Sequence, residues 1–147
     1  MDTASLPPFG PALIGQTEKA LDAILRRELS GTGATPTGWV LLKLAEGAGG
    51  RLGRRDMVER GVVEAKFEPA KVEAEVASLL SRGFLDDDGG EVVLTAEARR
   101  LQARVVGTTD EIRGRLWGDV PEPELATTGR VLGTVLLRAN AELGYSI

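Results

Sequence analysis

Two residue types are missing from this sequence altogether. No cysteine occurs among its 147 residues, which excludes disulfides, thiolate nucleophiles, iron–sulfur ligation and thiol-based oxidant sensing. No histidine occurs either, removing the commonest general base and the commonest transition-metal ligand. Chemistry would fall to carboxylates, lysines, hydroxyls and Tyr145. Paired acids such as Asp56 and Glu59, or Asp119 and Glu122, accompany no nucleophile–base or metal-ligand constellation, so we expect no enzyme, no metal site and no cofactor. No apolar run reaches the length needed to cross a bilayer. The start, MDTASLPPFGP, lacks the basic head and apolar stretch of a secretory signal. The expected location is the cytoplasm, with no membrane partner. Positive charge is also short: the net charge is −4 and the pI near 5.0, so nucleic-acid contact would require a locally positive face.

What is present describes a folded, soluble chain. A hydrophobic fraction of 42% and a charged fraction of 27% are ordinary for a globular domain, and the length suits a single domain over residues 1–147. Apolar residues at 13, 14, 21, 24 and 25 follow helical spacing and predict a helix from Pro11 to Leu29. SGTGATP interrupts it. Thr35 then suits an N-cap and Pro36 the first helical position, opening a second helix, TPTGWVLLKLAEG, stopped by Gly47 and GAGG. RLGRRDMVERGVVEAKF reads as a third helix. Pro69 opens a fourth, with Val72, Val76, Leu79 and Leu80 on one face and Glu68, Glu73 and Glu75 toward its start, where acids suit the helix dipole.

RGFLDDDGGEVVL reads as a hairpin: a strand around Phe84-Leu85, an Asp/Gly turn, and a return strand EVVL. Thr95 caps a long helix ending near Trp117-Gly118. VPEPEL starts the last helix, whose apolar face holds Leu125, Leu132, Val135, Leu136 and Leu143. The middle, residues 36–94, can bury its own apolar faces. The first helix and the last two carry stripes that it cannot cover, and a second copy of the chain would cover them across a two-fold axis.

This order of elements, with TPTGWVLLKLAEG, EVASLLSRGFL, EVVLTAEARRL and VPEPELATTGRVL, resembles the MarR family of bacterial winged-helix regulators. The resemblance covers nearly the whole chain. It implies a mainly α, α+β winged-helix fold: a winged helix-turn-helix core over residues 36–94 with a β-hairpin wing, flanked by dimerisation helices over 11–30 and 95–145. It also implies a homodimeric, DNA-binding transcriptional regulator that reads an inverted repeat of double-stranded DNA with its fourth helix, the wing lying beside it.

Carried over by position, Ala70, Lys71, Glu73 and Ala74 face the DNA groove, while Val72, Val76 and Leu79 pack inward. Arg51, Arg54, Arg55 and Lys66 supply nearby positive charge. This chain departs from the family pattern, which places small polar residues and an arginine on that face and a basic residue at the wing tip. Here the face offers two alanines and a glutamate, and the wing is DDDGGE. The alternative reading is therefore a winged-helix dimer that no longer binds DNA and acts through protein or small-molecule contacts. Without Cys or His, a small organic ligand is what remains to be sensed. Gln16, Thr17, Trp39 and Trp117 are the candidates for lining its pocket.

Overall fold

The computed structural model describes residues 3–145 as six α-helices and three short strands, after a 3₁₀ turn at Thr3–Ser5. The elements are α1 (Pro11–Leu29), α2 (Pro36–Gly47), β1 (Arg51–Gly53), α3 (Arg54–Val63), α4 (Pro69–Ser81), β2 (Leu85–Asp88), β3 (Glu91–Leu94), α5 (Ala96–Trp117) and α6 (Glu122–Glu142). The chain forms two compact units, Met1–Thr109 and Asp110–Ile147.

Within the first unit, local signals set most helix ends. Thr35 caps α2 by accepting from the Gly38 amide at 3.0 Å, and Pro36 occupies the first turn. Thr95 caps α5 in the same way, accepting from the Ala98 amide at 3.1 Å. The core gathers Trp39, Leu41 and Leu42 of α2, Met57 of α3, Val72, Val76 and Leu79 of α4, Phe84 and Leu85, Val92 and Leu94 of β3, and Ala98, Leu101 and Val105 of α5. Buried Gln102 donates to the Leu42 carbonyl at 3.2 Å, meeting the requirement that an interior amide be paired.

Two expectations need correction. The third segment is not helical throughout. Its first residues, Arg51–Gly53, form β1, which pairs antiparallel with β3 in the sheet order β1-β3-β2. Its last residues leave the helix after Val63: Lys66 takes a left-handed φ of 59°, and the Phe67 amide bonds the Gly61 carbonyl at 3.1 Å. A three-residue strand carries no measurable alternation, and its pairing partner lies some 40 residues away.

The second correction concerns the hairpin. Asp86, Asp87 and Asp88 are strand residues of β2, opposite Val93, Val92 and Glu91. The turn is Gly89–Gly90 alone, with φ of 61° and 91°. Positive φ at both central residues is the signature of a type I′ hairpin turn, which glycine adopts without strain. Cross-strand pairing thus overrides the poor strand propensity of aspartate.

In the second unit, α6 begins after Pro121 with Glu122 and Glu124 in its first turn, acids that suit the positive end of the helix dipole. It leaves Leu132, Val135, Leu136 and Leu137 exposed, Leu136 and Leu137 at 56% and 57%. No helix among the described residues is long and apolar enough to cross a membrane.

Candidate nucleic-acid interface

α4 presents a clean division of faces. Val72, Val76 and Leu79 are buried, on the apolar face that the spacing predicts, whereas Ala70, Lys71, Glu73 and Ala74 are exposed. The closeness of α3 to α4 depends on Gly61. A Cβ there would lie 3.0 Å from both methyl carbons of the buried Val72 and 3.3 Å from a Leu41 methyl.

Glu75 performs a task the sequence did not reveal. Its carboxylate accepts from the Thr35 hydroxyl at 2.8 Å, and that same hydroxyl accepts from the Gly38 amide. The acid therefore supports the N-terminus of α2 rather than that of its own helix, where a negative charge is favourable. Gly38 leaves room for it, because a Cβ at that position would meet the Glu75 carboxylate at 2.7 Å. No local pattern joins residues 40 positions apart. Arg82, at the end of α4, donates to the Gly33 carbonyl and ties the helix back to the α1–α2 connection.

The charges divide into paired and unpaired groups. Arg51 of β1 bonds Asp88 of β2 at 2.8 Å and lies 3.8 Å from Glu91. The hydrogen bond with Asp88, then the two nearby carboxylates, raise the Arg51 pKa above its ordinary value. Its charge is thus matched within the hairpin. Arg54 and Arg55 open α3 and form no ion pair among the described residues. Two cations at a helix N-terminus oppose the helix dipole, and Asp56 is the acid of the same first turn that favours it. Lys66 donates to the Val63 carbonyl. Lys71 holds its ammonium 5.4 Å from the centroid of the Phe67 ring.

Residues 51–91 carry seven basic side chains and ten acidic ones, a net charge of 7 − 10 = −3. Beside the hairpin an open cleft of about 820 Å3 is lined by Arg54, Arg55, Glu59 and Glu73, with Val58, Val62 and Pro69 as its apolar part. The first unit holds a second groove, of about 630 Å3, between α1, α2, the α3–α4 connection and Lys71. The sequence-based ligand candidates do not line either space. Trp39 is buried in the core, Gln16 and Thr17 are exposed on α1, and Trp117 belongs to the second unit at 37% exposure. The Thr17 hydroxyl donates to the Leu13 carbonyl one turn back at 2.7 Å.

No protein-family model and no curated protein matches the sequence. Solved structures do match the fold. The reduced form of MarR from E. coli shares 18% identity, covering 90% of this chain and 96% of its own, with a TM-score of 0.70. A MarR family transcriptional regulator from Silicibacter pomeroyi shares 23% identity over 95% of this chain and 94% of its own, with a TM-score of 0.69. CouR from Rhodococcus jostii, solved with p-coumaroyl-CoA bound, shares 18% identity over 84% and 88%, again with a TM-score of 0.69. The fold of this chain is therefore the winged helix-turn-helix fold of the MarR-type transcriptional regulators.

Proposed function

We propose that this protein is a homodimeric, DNA-binding transcriptional regulator of the bacterial cytoplasm, modulated by a small organic ligand. The observation that carries the reading is the exposed face of α4, Ala70-Lys71 and Glu73-Ala74, backed by buried Val72, Val76 and Leu79 and flanked by unpaired Arg54 and Arg55. In this reading Arg54, Arg55 and Lys66 bind phosphates, and Lys71 donates to guanine while Glu73 accepts from cytosine. The two alanines give the helix a low profile that admits it deeply into a groove. Arg51 serves the hairpin, and its acidic edge stays off the phosphates.

Two sets of apolar side chains support the dimer. The first unit exposes Phe9, Ile14 and Leu21, and the second exposes Leu116, Val131, Leu132, Val135, Leu136, Leu137 and Leu143. Water-exposed leucines in such number want a partner, and residues 11–30 and 95–145 are the dimerisation helices in this account. Selection of bound duplexes from a fragmented genomic library at low salt tests the function. Enrichment of one inverted repeat is the expected result.

The 820 Å3 cleft favours a second reading. Its lining mixes Val58, Val62 and Pro69 with both signs of charge beside an aspartate-bearing strand, a surface more like a protein-docking site than a phosphate cradle. Failure to enrich any duplex would select this reading, a winged-helix dimer acting through protein contacts.

A further inference from the structure

The groove between α1, α2 and the α3–α4 connection combines three features. Its apolar wall is Val40 and Leu44 with the Phe67 ring, all half-buried. Its carboxylates are Glu18, Asp22 and Glu64. Asp22 is matched by Arg26 at 2.5 Å, whereas Glu18 and Glu64 form no ion pair among the described residues. The remaining cation, Lys71, lies over the Phe67 ring at 5.4 Å from its centroid.

A positive charge above an aromatic face, with two unmatched carboxylates on the same groove, is the arrangement that recognises an ammonium group. The protein fills it with its own lysine. We propose that this groove binds an organic cation, an amine carried on a compact apolar body, whose ammonium takes the place of the Lys71 ammonium on Phe67 beside Glu18 and Glu64. The apolar body lies against Val40 and Leu44. The volume, about 630 Å3, is within the range of small-molecule sites. The incoming cation expels Lys71 by competition for the ring and by like-charge repulsion. Because Lys71 belongs to α4, occupancy repositions a positive charge on that helix's exposed face. Only this coupling rests on the proposed DNA reading; binding in the groove does not.

The test is calorimetric titration of the full chain, without DNA, with phenethylammonium chloride, and in parallel with phenethyl alcohol and phenylpropionate. The ammonium probe is expected to bind saturably and more tightly than either counterpart. Lys71→Met removes the resident competitor and is expected to tighten binding by about 3-fold, while Glu18→Gln and Glu64→Gln each weaken it by about 3-fold. Phe67→Leu keeps an apolar wall but loses the ring, and weakens binding by a similar factor. Lys71, Glu18 and Glu64 are exposed, so these variants leave the core intact. Absence of saturable binding up to about 10 mM probe, well above a millimolar Kd, would overturn the proposal. So would equal binding of the alcohol, tighter binding of the carboxylate, or unchanged affinity in Lys71→Met. Since no DNA is present, these failures are separate from failure of duplex selection.

Discussion

Gly61→Ala should destabilise the protein, although it replaces a poor helix former by the best one. In isolation the exchange would stabilise α3 by about 1 kcal/mol. The new Cβ, however, would lie 3.0 Å from both Val72 methyl carbons and 3.3 Å from a Leu41 methyl. Val72 and Leu41 are both fully buried at 0% exposure, and a β-branched side chain has few rotamers into which it can withdraw. Overpacking of this kind costs about 1–3 kcal/mol. The net expectation is a loss of about 1 kcal/mol, read as a lower urea midpoint with unchanged slope at fixed protein concentration. A second background makes the reasoning sharper. Val72→Ala alone should cost about 2–3 kcal/mol through lost burial and the cavity left behind. Within that background Gly61→Ala should become stabilising by about 0.5–1 kcal/mol, because the two nearest methyls are gone and only the Leu41 methyl at 3.3 Å remains. A stabilising Gly61→Ala in the unaltered chain, or additive effects in the double variant, would refute the claim that this glycine sets the α3–α4 distance.

Three further outcomes follow from the geometry. Thr35→Ala removes the α2 cap and the partner of Glu75, and should cost about 1–2 kcal/mol in thermal or urea unfolding, with Thr35→Ser restoring most of it. Replacing Leu132 and Leu136, exposed at 41% and 56%, by Asp should dissociate the proposed dimer. Light scattering then gives the 15.6 kDa of one chain rather than twice that mass, with helical circular dichroism retained. Asp86→Asn with Asp87→Asn removes exposed negative charge while keeping the Arg51–Asp88 pair. It should tighten DNA binding several-fold at low salt, and the gain should fade above about 0.15 M, where the screening length is about 8 Å.

The helices were legible because their signals are local. Pro11, the Thr35-Pro36 pair, Pro69 and Thr95 each mark a boundary through capping or proline chemistry, and the observed starts of α1, α2, α4 and α5 lie at those marks. The buried face of α4 followed from spacing alone. What escaped was non-local. β1 exists because residues 51–53 pair with 91–93, and nothing in RLG announces that. Asp86–Asp88 read as a turn because aspartate is rare in strands, yet their register is fixed by the Gly89–Gly90 reversal and by β3. Glu75 looked like an acid serving its own helix dipole, and it serves that of α2 through a hydroxyl 40 residues away. The groove beside Phe67 needs α1, α2 and the α3–α4 connection brought together, so no sequence window contains it.

The central claim is that α3, not the hairpin, carries the charge by which the protein holds DNA. The salt dependence of affinity for the selected duplex measures this directly. In the proposed complex, removing Arg54 and Arg55 together would take two phosphate contacts from each protomer, four from the dimer. At about 0.9 per phosphate, the slope of log K against log salt should become shallower by about 3–4. An unchanged slope in that double variant, with the duplex still bound, would contradict the account.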